Sequence, residues 1–208
     1  MIEPSENLEM HPPEPPGPFI LVGLGNPGRK YERNRHNVGF MQLNRLSVKL
    51  GESFAKVEAK ALICKTTYQG NRLILVKPQT YMNNSGSSVS SLVRFYQVCL
   101  ENMLVIYDDV DLPQGAIRIR PGGGSGGQKG MQSIIDRLGT EEFPRMRIGT
   151  GRPPGRMEAA DYVLQDFDAQ EFDLMNDIFD RGVEAVLTFI RFGIEKAMND
   201  FNGSKLDI

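Results

Sequence analysis

The sequence predicts an α/β fold: one globular domain on a twisted mixed, largely parallel sheet with helices on both faces. Strand-like segments alternate with helical ones, mostly singly. The runs Phe19 to Leu24 and Met103 to Tyr107 are continuously apolar, as strands buried on both faces are. The length of 208 residues, 40% of them apolar and 24% charged, suits a single soluble domain with a sizeable core.

Met1 to Pro18 is acidic and proline-rich and reads as a disordered leader, the wrong charge for a signal peptide. Phe19 to Leu24 is the first strand. It breaks into Gly23-Leu-Gly-Asn-Pro-Gly28, which matches the G-x-G-x-x-G pattern of dinucleotide sites. Such a site needs a helix to open at the last glycines. Here Pro27 removes an amide, and the helical stripe (Phe40, Leu43, Leu46, Leu50) starts only near Asn37, which argues against a nucleotide. Ala61 to Thr67 and Leu73 to Val76 read as paired strands around a Gln69-Gly-Asn71 turn. Pro78 ends the second strand. A helix follows, capped by Asn84 or Ser85 and carrying Val89, Leu92, Val93 and Tyr96 on one face. Met103 to Tyr107 ends in Asp108-Asp-Val-Asp111, then a turn at Leu112-Pro-Gln-Gly115. Ala116 to Arg120 alternates as a half-exposed strand. The glycine-rich loop Gly122 to Gly130 leads into a helix over Met131 to Leu138. Phe143 to Gly149 is a strand with Arg145 and Arg147 on one face. Arg152-Pro-Pro-Gly155 is a linker, and 171 to 199 is helical with a break near Gly193. The folded domain is expected over 19–200, with 201–208 as a tail.

Net charge is −2, so a polyanion site would have to be a local patch. Arg120, Lys129, Arg145, Arg147 and Arg152 fall in sequence around the glycine loop, and such a patch suits an RNA backbone. The two cysteines, Cys64 and Cys99, make no disulfide framework and favour an intracellular setting. No apolar run reaches the roughly 20 residues of a membrane helix.

Sites in this fold class lie beyond the carboxyl ends of the strands. Three polar clusters belong there: Asn26 to His36, Tyr81 to Asn84, and Asp108 to Asp111. No nucleophile motif occurs. A metal is not expected, because His36 has no histidine partner at helical spacing and His11 lies in the leader. One histidine, a strand-end carboxylate and several amides suit a general base that activates water against an activated bond such as an ester. Read singly, each group has a plainer meaning. His36 could be a solvated histidine, the aspartates a turn cap, Met82 core packing, and Arg145 with Arg147 a solvated strand face.

Taken together, four motifs resemble bacterial peptidyl-tRNA hydrolase. They are Gly23-Leu-Gly-Asn-Pro-Gly28 with Tyr31 and Arg35-His-Asn-Val-Gly-Phe40; Lys77-Pro-Gln-Thr-Tyr-Met-Asn83; Tyr107-Asp-Asp-Val-Asp-Leu-Pro-Gln-Gly115; and Phe143-Pro-Arg-Met-Arg-Ile-Gly-Thr-Gly-Arg-Pro153. The resemblance covers about 19–195. It implies hydrolysis of the ester joining a peptide to the 3′ end of tRNA, in a cytoplasmic, usually monomeric enzyme without cofactor that recycles tRNA from aborted translation. By that resemblance His36 is the base, Asp108 its orienting partner, and Asn26 a catalytic-site amide that senses a blocked amine. Tyr31, Tyr81, Met82, Asn83 and Lys129 would contact substrate, and Arg120 and Arg147 would hold a tRNA phosphate. One departure stands out: the family often carries histidine-asparagine where this chain has Gln128 and Lys129, and lysine donates but cannot accept. The resemblance also admits a non-catalytic RNA-binding relative, as in organellar intron-splicing factors. A pure binder has no need of a base with an orienter, and the acidic leader is unlike an organellar transit peptide.

Overall fold

A computed structural model describes residues 17–202. The expected leader lies outside the described residues apart from Gly17 and Pro18, as does the tail beyond Asn202. The apolar run that opens the domain is the central strand, β1 (Phe19–Gly23). Parallel neighbours β4 (Asn71–Pro78) and β5 (Met103–Asp109) flank it. β7 (Arg145–Gly149) continues the parallel half. Antiparallel strands close both edges: β2 (Lys56–Glu58) and β3 (Ala61–Tyr68) on one, β6 (Ile117–Arg120) on the other. Among the described residues this makes a seven-stranded mixed sheet in the order β2-β3-β4-β1-β5-β7-β6.

Side-chain alternation along these strands divides the core into two layers. On one face Leu21, Leu75, Leu104 and Ile106 pack with Leu43 and Leu46 of α1 (Val38–Lys49) and with Phe179, Val183 and Ile190 of α5 (Ala169–Phe201). On the other, Ile20, Val22, Val76 and Val105 meet Val89 and Leu92 of α2 (Ser85–Phe95) and Met131 and Ile134 of α3 (Lys129–Leu138). Both faces of β1 are therefore covered, which is why Ile20, Leu21 and Val22 are all fully buried and the run shows no polar alternation.

Several elements depart from the sequence reading for identifiable reasons. β2 carries no strand signal because its hairpin turns on Ala59 and Lys60, both at positive φ without glycine. Asn84 precedes α2 but makes no side-chain cap. Instead the α2 amide of Gly86 donates to Ser133 Oγ of α3 at 3.0 Å. The last helix starts at Ala169 because Asp168 and Glu171 form a capping box, each side chain accepting the other's backbone N–H at 2.8 Å. It bends at Gly193 (φ 82°, ψ 176°) and runs to Phe201, after which the Asn202 amide bonds both the N–H and the carbonyl of Ile119. No helix among the described residues is long and apolar enough to cross a membrane.

The chain leaves β1 through α1 on one face and β4 through α2 on the other, so the carboxyl end of β1 is a topological switch point. The glycines there serve helix packing. A Cβ on Gly39, in the first turn of α1, would lie 2.3 Å from the Ile106 carbonyl and 2.4 Å from the Leu24 amide. Neither backbone group can yield. Gly39→Ala is therefore expected to cost about 3 kcal/mol, the upper range for overpacking, read as a lower urea midpoint at unchanged m-value.

Candidate active site

At that switch point the chain from β1 does not enter a helix at once. It passes through a turn at Arg29–Tyr31 and another at Arg35–Asn37 before α1 begins at Val38. The delay that argued against a nucleotide carries His36 over the end of β5. Its Nδ1 lies 2.8 Å from Asp108 Oδ2, across 72 residues of chain. Asp108 is 4% exposed. A carboxylate can only accept, so the proton in this contact sits on Nδ1, which makes Nε2 the acceptor nitrogen of the neutral imidazole.

Asn26 faces the same space, held on both sides. Its backbone N–H donates to Asn37 Oδ1 at 2.8 Å, and its carbonyl accepts from Asn37 Nδ2 at 2.9 Å. Its side-chain oxygen accepts the Met82 N–H at 3.0 Å. With that oxygen engaged, Asn26 presents its Nδ2 donor.

His36, Asp108, Asn26, Tyr81, Met82, Asn83 and Lys129 line one cavity of about 540 Å³. Met82 is buried, whereas Tyr81 is 67% exposed at the mouth. One wall comes from residues outside those the sequence singled out for the site. α4 (Ala159–Tyr162) and the turn after it present Ala159, Ala160, Val163 and Leu164 to the cavity. This apolar side has too short a pattern to register as an amphipathic helix. A larger cavity of about 680 Å³ lies beyond the Asn26–Asn37 pair, but no histidine lines it.

Tyr31 is not in the lining of the 540 Å³ cavity. The Lys30 ammonium sits 4.7 Å from the Tyr31 ring centroid and is held above its ordinary range by Tyr31 first and Tyr81 more weakly. Arg120 and Arg147 also lie outside that lining. Arg120 is exposed at the end of β6, where the glycine loop begins, and Arg147 Nε donates to Asp109. Asp109 does line the cavity.

The structure removes Arg145 from the expected anion patch. It is 2% exposed and donates to the carbonyls of Gly123, Gly124, Glu141 and Phe143. Burial pushes its guanidinium below the ordinary range, opposed by Tyr107 beside it. Arg145 is a bracket for the glycine loop. Sequence alternation could not separate it from Arg147, because both do share a face; only the covering loop distinguishes them. Arg152 is likewise engaged, on Asp111 at 2.9 Å. The three strand-end acids thus diverge: Asp108 to His36, Asp109 to Arg147, Asp111 to Arg152.

Arg35 is a second residue the sequence did not single out. It is 6% exposed. Its Nη2 donates to both Glu171 oxygens at 2.6 and 2.5 Å, and its Nη1 to the Asp166 carbonyl at 2.6 Å. Its guanidinium lies 4.4 Å from the Tyr162 ring centroid. Next to it, the His36 N–H donates to the Val163 carbonyl at 2.8 Å. Arg35 therefore ties the apolar wall to the histidine turn. Arg35→Met takes the cation from Glu171, which keeps only the Asp168 N–H, and is expected to cost about 3 kcal/mol, with a matching loss of turnover because Val163 and His36 move together. Denaturant unfolding checks the first effect, and kinetics at a temperature where the variant is folded check the second.

An α/β domain with an imidazole–carboxylate pair in a strand-end cleft, and amides converging on the same cavity, is an arrangement suited to a hydrolase. The comparisons are specific. A family model described as peptidyl-tRNA hydrolase matches residues 20–208. A peptidyl-tRNA hydrolase from Thermoanaerobacter sp. (strain X514) is 48% identical over 185 residues, covering 89% of this chain and 100% of the relative. A chloroplastic peptidyl-tRNA hydrolase from Arabidopsis thaliana is 47% identical over 189 residues, covering 90% of this chain and 66% of that protein. The crystal structure of peptidyl-tRNA hydrolase from Acinetobacter baumannii superposes with a TM-score of 0.85 at 33% identity, covering 90% of this chain and 96% of that one. The chain belongs to the peptidyl-tRNA hydrolase family, enzymes that hydrolyse ester bonds.

Proposed function

We propose that this protein hydrolyses the ester between a peptide and the 3′ end of tRNA, recycling tRNA from aborted translation, with His36 as general base. The His36–Asp108 contact at 2.8 Å carries this reading. Water in the 540 Å³ cavity gives a proton to His36 Nε2 as its oxygen attacks the ester carbonyl. Asp108 keeps Nδ1 protonated and stabilises the imidazolium that forms. The Asn26 Nδ2 donor supports the negative oxygen of the tetrahedral intermediate, and the Lys129 ammonium serves the same oxygen or a nearby phosphate. When the intermediate collapses, the ester C–O bond breaks and the ribose oxygen takes the proton from Nε2. The peptide leaves as a carboxylic acid and gives its remaining proton to solvent.

Tyr81, Met82 and Asn83 hold the terminal nucleotide and the first peptide unit, with Tyr31 at the rim. The apolar wall of Ala159, Ala160, Val163 and Leu164 accommodates side chains of varied peptides. Arg120 and Arg147 contact tRNA phosphates outside the cleft; Arg147 has to exchange Asp109 for a phosphate. The enzyme acts as a monomer in the cytoplasm, where its substrate arises. A non-catalytic RNA-binding role has no observation in its favour that a base with an orienter does not outweigh. The test is release of an N-blocked amino acid from acylated tRNA. Faster release than from the same tRNA carrying a free aminoacyl group supports the proposal, and an intact ester after prolonged incubation sinks it.

A further inference from the structure

Gln128 is the first residue of its loop to be buried, at 9% exposure, and each end of its amide has a separate partner. Nε2 donates to Asp108 Oδ1 at 3.1 Å and lies 3.4 Å from Met82 Sδ. Oε1 accepts the Met131 N–H at 2.8 Å, which makes Gln128 the N-cap of α3. The amide cannot be the other way round, because a backbone N–H needs an acceptor and a carboxylate needs a donor. Both oxygens of Asp108 are thus held, Oδ2 by His36 and Oδ1 by Gln128. Gly130 lets the helix come this close, since a Cβ there would lie 2.6 Å from Met82 Sδ.

We infer that Gln128 is a positioning residue for the hydrolysis: it anchors Asp108 to the start of α3 and thereby sets both the orientation and the basicity of His36. The inference rests on the reading of His36 and Asp108 as the base and its orienter. Held at one oxygen only, a carboxylate can swing about its Cβ–Cγ bond and carry the imidazole with it. Held at two, it stays in plane. The amide donor also draws charge from the carboxylate, so less of it reaches the imidazole. Removing the donor leaves His36 facing the undiluted charge, which favours the imidazolium and so keeps the base protonated to higher pH. The donor and the cap reside on one side chain, so the rigid frame of α3 is transmitted directly to the catalytic pair.

A serine separates the two roles. Its hydroxyl can cap α3 at the same position but is too short to reach Asp108. Gln128→Ser is expected to keep Tm within a few degrees of the parent. Its kcat for N-blocked aminoacyl-tRNA should fall about tenfold. The acidic limb of its kcat/KM profile should move up by about one pH unit, the worth of a hydrogen bond to a charged group. Gln128→His restores an N–H donor beside Asp108 and is expected to return both quantities most of the way. A parental pH profile and kcat in Gln128→Ser would overturn the inference and leave Gln128 as a helix cap alone. If Gln128→Ser lowers kcat but Gln128→His does not restore it, the donor is not what matters, and the inference also fails. Asp108→Asn is assayed in parallel. Parental turnover in that variant would defeat the underlying reading of the catalytic pair, whereas its loss beside an unaffected Gln128→Ser defeats only the role of Gln128.

Discussion

Replacing His36 with alanine is expected to lower the turnover of bound N-blocked aminoacyl-tRNA about a thousandfold while leaving the fold intact. The imidazole lines the cavity and has its Nδ1 held by a carboxylate, and proton transfer by such a base is worth about 100- to 10,000-fold. Stability should fall by only about 1–2 kcal/mol, the worth of one hydrogen bond to a buried carboxylate. His36 is tied in by its backbone N–H to Val163, which alanine retains, and Asp108 keeps its second partner, Gln128. Single-turnover release at saturating enzyme, set beside thermal unfolding, reads both. A variant that keeps more than a tenth of parental turnover would remove His36 from the chemistry. A variant that loses turnover and Tm together would show a structural role instead.

Asp108→Asn is expected to lower kcat by about 100-fold or more with little change in tRNA affinity. The replacement has the same shape and is as fully buried. Its amide can offer an N–H to His36 Nδ1, which fixes the opposite tautomer and places the proton on Nε2, where the base is needed. The imidazolium of the transition state also loses the charge that stabilises it. Because Asp108 bonds to His36 and Gln128 and is only 4% exposed, tRNA binding measured by filter retention should hold within about twofold. A drop in affinity equal to the drop in turnover would mean that the carboxylate organises the binding surface rather than the base.

Elements whose signals are local are legible in the sequence. β1, β5 and α1 were legible because burial on both sheet faces leaves a continuous apolar run and packing on one face leaves a helical stripe. β2 was not, because its turn uses Ala59 and Lys60 in a backbone conformation that most turns assign to glycine. The start of α3 was placed two residues late because its cap is a glutamine whose amide reaches a backbone N–H only with help from the surrounding packing.

What the sequence determined by itself was the alternation of strands and helices, the late start of the helix after the first glycine loop, and an inventory of one histidine near several strand-end carboxylates. Residues as near as Arg145 and Arg147, or Asp108 and Asp109, carry the same charge and the same local pattern. Only the tertiary structure separated them. Arg145 is covered by the glycine loop and Arg147 meets Asp109, while Asp108 alone points to an imidazole 72 residues away. It also joined Arg35 to Glu171 across 136 residues and set Gln128 behind Asp108. The physical reason is the same in each case. A buried polar group takes its meaning from the partner that satisfies it, and here that partner comes from a distant part of the chain, brought near by the packing of two helical layers on one sheet.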